Sequence, residues 1–223
     1  FSITVSPVND APQLTVTNPA DILEGGTAAI SAAVLAGSDA DDAPGDITYT
    51  VSNIVNGDVR LSGVSTLTFT QDDVDNGLVS FVHDGSDTLT SGFDVSLADG
   101  GEDGAVAATG TVVIGITPVD DAPVQAVNAG GTVAEEGTLS ITAAELSATD
   151  SDTSSDNLVY SITSGPANGV VQVSGVTVTS FTQEDIDLGN VTYVHDGSET
   201  LVGDFDFTLS DGTTTLAADT FSI

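Results

Sequence analysis

The sequence predicts an all-β protein: two tandem seven-stranded Greek-key β-sandwich domains arranged in a linear array. Three observations carry that prediction. The hexapeptide Pro118-Val119-Asp120-Asp121-Ala122-Pro123 near the middle almost repeats Pro7-Val8-Asn9-Asp10-Ala11-Pro12 near the start. Landmarks then keep one spacing: Asn9 to Asp120 and Asp39 to Asp150 are 111 residues apart, while Phe69 to Phe181, His83 to His195 and Asp99 to Asp211 are 112 apart. Roughly 19 of 32 positions are identical between Phe69–Gly100 and Phe181–Gly212, which marks an internal repeat. Finally, short runs alternate apolar and polar residues between clusters of Gly and Asp, the pattern of half-buried antiparallel strands.

In chain order, residues 1–10 read as the end of a preceding repeat and its linker. Within them Phe1-Ser-Ile-Thr-Val5 is strand-like, and the chain closes on the matching Phe221-Ser-Ile223. The sequence is therefore expected to be a piece of a longer tandem array, cut in phase with its repeat. The first repeat spans 11–119, with strands expected at 14–16, 28–34, 47–51, 67–69, 79–82, 93–97 and 112–116. Seven such runs suit a sandwich. The second of them, Ala28-Ala-Ile-Ser-Ala-Ala-Val-Leu35, is helical by propensity as readily as it is extended. A short helix is expected at Thr70–Asp75, where a threonine followed three residues later by an acid makes a capping box. Val74 occupies a position at which an Asp-rich calcium loop needs oxygen, so these acids read as caps. Residues 120–123 form a linker, since two carboxylates between prolines cannot continue a buried strand. The second repeat, 124–223, copies the first, with its helix at Thr182–Asp187 and Phe205, Phe207 and Leu209 alternating late in the unit.

Charge excludes several functions. With Asp+Glu 34 against a single base, Arg60, the surface repels nucleic acid and anionic lipid. No cysteine is present, so neither disulfides nor thiol chemistry contribute. No apolar run reaches the length of a membrane span, so membrane insertion is not expected. Without lysine, a Lys–Asn crosslink is impossible. His83 and His195 share strand parity with Phe81 and Tyr193, and read as core-closing residues with satisfied hydrogen bonds. No nucleophile motif accompanies them, and a non-enzymatic chain is expected. Tyr49, Tyr160 and Tyr193 sit in strand patterns and read as core.

Strand alternation then places the acids. If the first strand runs downward, the turns after the first and fifth strands and the exit of the seventh share one end. The turns after the second and sixth share the other. Glu24, Asp84, Asp87, Asp120 and Asp121 fall at the lower end of the first unit, and Asp150, Asp152 and Asp211 at the upper end of the second. Such like charges gathered without a base invite a cation. All-oxygen donors in this number suit Ca²⁺ better than Mg²⁺ or a transition metal. The same pattern is half present at the first junction, where Asn9 and Asp10 meet Asp39, Asp41 and Asp99. Glu135 (or Glu136), Asp196 and Glu199 hold the corresponding place at the far end. Both end sites are expected to be weak or empty.

Phe181-Thr-Gln-Glu-Asp-Ile-Asp187, Val194-His-Asp-Gly-Ser-Glu199 and Phe205-Asp-Phe-Thr-Leu-Ser-Asp-Gly212, with near copies in the first unit, resemble cadherin-type repeats of bacterial surface proteins. The likeness is to the variety related to chondroitin sulfate proteoglycan repeats. It implies a calcium-stiffened spacer in a long extracellular adhesin at a bacterial surface, of the RTX type exported by type I secretion and active in cell adhesion or biofilm. Its partners are then neighbouring repeats, and possible direct contacts are polysaccharide or another cell surface; the fragment itself is expected to be a monomer. The resemblance matches Asp120 and Asp121 to the family's linker acids, Asp150 and Asp152 to its Asp-x-Asp, Asp211 to the acid ending its sixth strand and Glu24 to its early glutamate. One departure stands: the family's two lower acids lie one residue apart, whereas Gly85-Ser86 separates Asp84 from Asp87, which questions Asp87 more than Asp84. The glycine-rich nonapeptide of such secreted proteins is absent.

Overall fold

A computed structural model describes residues 1–4, 8–101 and 104–223, in two compact units, Phe1–Val119 and Asp120–Ile223. Among the described residues the elements are β-strands apart from two single-turn α-helices. The first unit contains, in order, β1 (Gln13–Val16), β2 (Ile22–Leu23), β3 (Thr27–Ala29), β4 (Leu35–Ser38), β5 (Thr48–Val55), β6 (Gly57–Leu61), β7 (Val64–Ser65), β8 (Thr68–Thr70), α1 (Gln71–Asp75), β9 (Val79–His83), β10 (Thr90–Ala98) and β11 (Ala108–Thr117). The second contains β12 (Val124–Asn128), β13 (Thr138–Ser140), β14 (Leu146–Thr149), β15 (Val159–Ser164), β16 (Gly169–Val173), β17 (Val176–Thr177), β18 (Ser180–Thr182), α2 (Gln183–Asp187), β19 (Val191–His195), β20 (Phe205–Ser210) and β21 (Asp219–Phe221).

In the first unit one sheet runs β2-β11-β10-β5-β8 and faces another running β3-β9-β6-β7, with β1 and β4 paired separately. Alternation explains the sandwich. Tyr49 and Val51 on β5, Phe93, Val95 and Leu97 on β10, and Val112, Ile114 and Ile116 on β11 turn one sheet's inner face to the core. Ala28, Val59, Val79 and Phe81 supply the other face. Burying each larger side chain contributes roughly 1.5–3 kcal/mol before entropy is counted. The second unit repeats this plan, with sheets β18-β15-β20-β21 and β13-β19-β16-β17 and the pair β12-β14 around Tyr160, Tyr193, Phe205, Phe207 and Phe221.

Both helices are capped as their sequences predict. Thr70 accepts from the Asp73 N–H at 3.2 Å while its own N–H donates to Asp73 at 2.8 Å, and Thr182 with Asp185 does the same. Each helix also buries a glutamine. Gln71 Oε1 accepts from the Gly37 N–H at 2.7 Å and from the Tyr49 hydroxyl at 2.6 Å, and its amide donates to Asp75 at 2.7 Å. Gln183 binds Ala148, Tyr160 and Asp187 in the same way. The Phe-Thr-Gln segments therefore clamp helix, strand and core together.

Several expected boundaries differ. The strand expected at 28–34 is extended only over Thr27–Ala29. It then bends through a turn in which the Ser31 carbonyl accepts from the Val34 and Leu35 N–H groups, and β4 starts at Leu35. The turn lets Ile30, Val34 and Leu35 all reach the core, which one straight strand cannot do. The hairpin of β6 and β7 was not expected, and the strand expected at 67–69 is shifted to Thr68–Thr70 with Leu67 outside. Of the stretch Phe1-Ser-Ile-Thr-Val5, Phe1 to Thr4 form no strand; Val5 lies outside the described residues, as does Pro7 of the opening hexapeptide.

Candidate metal centre

At the leading end of the first unit, β4 and β10 finish side by side and each hands its last turn to an aspartate. Asp39 Oδ1 accepts from the Asp41 and Asp42 N–H groups at 2.8 and 3.1 Å, an Asx-type turn that points Oδ2 inward. That Oδ2 is buried and has no hydrogen-bond partner. Asp99, 6% exposed, accepts from the Gly101 N–H through Oδ1 at 2.8 Å and from the Asn9 amide through Oδ2 at 3.0 Å. The Gly101 N–H first, and Asn9 after it, hold the Asp99 carboxyl below the usual carboxylate range. Carboxylate oxygens of Asp39, Asp42 and Asp99 all lie within 4.8 Å of one another.

The acids brought together here differ from the expected set in one residue. Asp42, not Asp41, joins Asp39 and Asp99; Asp41 is exposed and accepts from the Asp10 N–H at 2.9 Å instead. The Asx turn is the reason, because capping two successive N–H groups folds residue 42 back beside Asp39. Sequence spacing pointed to Asp-x-Asp, and only the turn geometry reveals the third acid.

The leading end of the second unit is built alike from the ends of β14 and β20. Asp150 Oδ1 accepts from Asp152 and Thr153 N–H at 3.0 and 2.9 Å, and Asp211 Oδ1 from Thr213 and Thr214 N–H at 2.7 and 2.6 Å. Asp120 accepts from the Thr214 hydroxyl at 3.2 Å, and the Asp121 N–H donates to Asp152 at 3.3 Å. Here both Asp150 Oδ2 and Asp211 Oδ2 are buried without a partner. The difference from the first unit lies in one residue: where Asn9 donates an amide proton to Asp99, Asp120 has none to give. The hydrogen bond with Asp150 raises the Asp152 carboxyl, and Asp150 is lowered in turn, its bonds from Asp152 and Thr153 outweighing burial. Two carboxyls competing for one proton behave this way.

At the trailing end of the first unit, Glu24 follows β2 and accepts from the Val119 N–H at 3.2 Å. Glu24 and Asp87 present carboxylate oxygens within 4.8 Å of each other. Asp84 turns away, its Oδ1 engaged by the Ser86 N–H at 3.0 Å and hydroxyl at 2.6 Å. The Ser86 hydroxyl is the main reason its carboxyl is held low. With Gly85-Ser86 between them, Asp84 caps its own turn while Asp87 lies beside Glu24. In the second unit, Asp196 caps Ser198 at 2.9 Å, and among the described residues Glu135, Glu136, Asp196 and Glu199 form no such cluster.

The histidines behave as the pattern indicates. His83 is buried, with Nδ1 accepting from the Gly25 and Gly85 N–H groups, both at 3.1 Å, and Nε2 3.2 Å from the Thr88 hydroxyl. His195 Nδ1 accepts from Gly197 at 3.1 Å and Glu136 at 3.4 Å. His83 closes its turn in the interior, whereas His195 closes the equivalent turn only half-buried.

Carboxylate oxygens that are buried and unpartnered cost free energy unless a cation approaches them. The donors are all hard oxygens, a set that fits Ca²⁺. Asp39, Asp42 and Asp99 of the first unit bring three carboxylate oxygens close enough to hold such an ion; among the described residues Asp120, Asp150, Asp152 and Asp211 of the second unit bring together no such three, and their case rests on the buried oxygens of Asp150 and Asp211.

Comparison with known proteins adds the family. A family described as Cadherin-like matches residues 12–114 and again 123–223. The extracellular matrix organizing protein FRAS1 of Mus musculus is 32% identical over 214 residues, covering 91% of this chain and 5% of that protein. Chondroitin sulfate proteoglycan 4 of Homo sapiens is 40% identical over 143 residues, 62% of this chain and 6% of that protein. The chain thus spans a small part of the relatives it matches. Among solved structures, extracellular cadherin domains 1–4 of protocadherin gamma B7 align with a TM-score of 0.52 at 13% identity, over 97% of this chain and 50% of that one, a likeness of fold.

Proposed function

Because the chain belongs to the Cadherin-like family, we propose that it is a non-enzymatic spacer of a long extracellular adhesion or matrix protein whose junctions are stiffened by calcium. The name of the extracellular matrix organizing protein FRAS1 supports the extracellular setting. The observation that carries the calcium reading is the set of buried, unpartnered oxygens on Asp39, Asp150 and Asp211, of which Asp39 and Asp150 fall at equivalent places in the two units.

Covalent continuity gives the mechanism. Glu24 binds the N–H of Val119, the last residue of the first unit, while the next two residues, Asp120 and Asp121, are tied to Thr214 and Asp152 of the second. A calcium ion held by Asp120, Asp150, Asp152 and Asp211 neutralises the linker at its first residue. Without the ion, repulsion among these acids loosens the linker. The leading site around Asp39, Asp42 and Asp99 is the same device for a preceding repeat. We extend the reading to a bacterial surface adhesin of the type I-secreted, biofilm-forming class on the resemblance of residues 181–187, 194–199 and 205–212 to repeats of such proteins. Direct contact with polysaccharide finds less support, since Tyr49, Tyr160 and Tyr193 are all fully buried and offer no sugar-stacking face.

Isothermal titration calorimetry with CaCl₂ at physiological salt tests this. Binding is expected, and Asp150→Ala with Asp211→Ala should abolish the tighter phase while leaving circular dichroism unchanged. Undiminished uptake in that variant refutes the assignment.

A further inference from the structure

The outer face of the sheet β2-β11-β10-β5-β8 carries a slot of about 340 Å³ that the calcium reading does not use. Its floor is Gly92 on β10, paired with Val55 of β5 on one side and with Val113 of β11 on the other. A Cβ at Gly92 would collide with the Val112 carbonyl oxygen, so the floor stays bare. Val55 and Val113 stand as its walls, 52% and 42% exposed, and present apolar surface to solvent. Their strands are two spacings apart, about 9.5 Å, which leaves room between the side chains for one unbranched run of methylenes.

One end of the slot is charged. Asp94, two residues on from Gly92 and therefore on the same face, lines it beside Asn53 and Thr111. Its Oδ2 accepts from the Asn53 amide at 2.8 Å and its Oδ1 from the Thr111 hydroxyl at 2.6 Å, which fixes the carboxylate and leaves each oxygen a further lone pair. The sandwich itself does not demand this slot. Phe93 pairs with Val112 as Phe205 pairs with Phe221, so Asp204 holds the place of Gly92 in the second unit and Ser222 that of Val113. Gly57 pairs with His83 as Gly169 pairs with His195, which sets Ala167 at the place of Val55. The second unit thus builds the same sheet without the bare floor or either valine wall, while it keeps the aspartate and threonine, Asp206 accepting from Thr220 at 2.6 Å.

We propose that the slot receives a lysine side chain from an extended, basic segment of another protein, its methylenes lying over Gly92 between Val55 and Val113 and its ammonium reaching Asp94. Charge complementarity selects that partner. The chain has no lysine, its one base, Arg60, is engaged by Asp58 at 3.0 Å, and its formal net charge is −33, so a second copy is repelled and a cationic segment attracted. A side chain that covers apolar surface with its stem and keeps its charged head in water suits a half-open slot. Lysine is favoured over arginine because each Asp94 oxygen already accepts one bond, and a compact ammonium uses one remaining lone pair where a guanidinium fork uses two. None of the candidate calcium acids lines the slot, so the test runs in chelator and its failure is separable from that of the metal reading.

The 223-residue chain is titrated with the acetylated, amidated peptide Gly-Thr-Lys-Thr-Gly, and with the same peptide carrying arginine or norleucine in place of lysine, while amide shifts are followed by NMR at Gly92 and Val113. Saturable shifts are expected with lysine, weaker binding with arginine and none with norleucine. Asp94→Asn should weaken the lysine peptide about fivefold, the upper scale of an exposed ion pair. Val55→Ser with Val113→Ser should weaken it on the order of tenfold, the scale of two methylenes losing their cover. Asp72→Asn, an equal change of charge at an exposed position of α1, should leave it unchanged. Equal weakening by Asp72→Asn would show general attraction to a negative surface, and equal binding of norleucine an apolar slot blind to charge. Arginine bound as tightly as lysine, a concentration-dependent dimer in sedimentation that shifts the same amides, or no shift with any peptide overturns the proposal, as do those two results.

Discussion

Gln183 shows how one polar side chain can hold an apolar core in register. Its Oε1 accepts from the Ala148 N–H and the Tyr160 hydroxyl, both at 2.8 Å, while its amide reaches Asp187. Burial, with Asp187 nearby, pushes the Tyr160 hydroxyl well up, so it remains a neutral donor at every working pH. Gln183→Leu removes the acceptor and leaves two donors dry, a loss of about 1–3 kcal/mol for each unsatisfied group. Urea unfolding should show that loss, and adding Tyr160→Phe should recover part of it; no recovery means that the hydroxyl was never stranded. None of this was legible beforehand, since a glutamine in a capping segment looks like solvent-facing polarity. The signal that could have found it is the tyrosine two positions into each preceding strand pattern, an interior hydroxyl in need of a partner. Asp94 carries a second residue-scale prediction. The Asn53 amide at 2.8 Å, with the Thr111 hydroxyl at 2.6 Å, holds its carboxyl below the ordinary range. A carboxyl lowered by folding contributes stability above its unfolded pKa of about 3.9, and that contribution disappears as pH falls through the lower folded value. Asn53 has φ +49°, so glycine is the replacement that removes the amide without backbone strain. In Asn53→Gly the Asp94 titration, followed by carboxyl-carbon NMR, should move upward; an unmoved midpoint rules out the amide as its cause.

At the scale of elements, the helices and the strands that flank them were the most legible parts, because their signals are local. A threonine and an acid three residues apart sufficed for α1 and α2, and strict alternation sufficed for β10 and β20. Thr182→Ala tests how much the cap matters in so short a helix. It strips the acceptor of the Asp185 N–H, costing about 1 kcal/mol within a range of 0.5–2. The melting transition of the second unit should fall accordingly, while Thr182→Ser should remain close to the parent; equal losses in both point to methyl packing instead of capping. Elements whose form depends on distant partners were hidden. Residues 28–35 carry core side chains at 28, 30, 34 and 35, a spacing that neither a strand nor a helix satisfies, and only the two facing sheets impose the turn at Ser31. The β6–β7 hairpin escaped because Val59 is its only fully buried apolar residue between Gly57 and Leu61. Its turn signal was nonetheless present, with Ser62 and Gly63 both at positive φ, the conformation of a two-residue hairpin turn. The candidate acids divide in the same way: the places of Asp39, Asp99, Asp150 and Asp211 follow from strand ends, whereas those of Asp42, Asp84 and Asp87 depend on side-chain-capped turns.

For the whole molecule the governing quantity is a formal net charge of −33 on 223 residues. Such a charge destabilises each folded unit by self-repulsion, and two kinds of cation relieve it differently. Monovalent salt acts by screening, shrinking the Debye length from about 30 Å at 0.01 M to about 3 Å at 1 M. It serves all carboxylates alike and saturates without a stoichiometry. Calcium bound at Asp150 and Asp211 acts as a ligand of the native state, stabilising it by RT ln(1 + [L]/Kd), a term of about 2.7 kcal/mol when its concentration is a hundred times Kd. The two are separated by melting the full chain at constant ionic strength while millimolar CaCl₂ replaces NaCl. Screening alone predicts a flat line. Site binding predicts a transition that climbs with the logarithm of calcium, and a climb reduced by Asp150→Ala with Asp211→Ala, because those two residues carry two of the three buried oxygens that have no other partner, the third being on Asp39. MgCl₂ at the same ionic strength should produce a smaller rise, since a smaller ion holding its waters makes poorer use of many carboxylates. A flat calcium line would leave the acids as a solvated surface, and the buried oxygens of Asp39, Asp150 and Asp211 would then need protons or water in place of a metal.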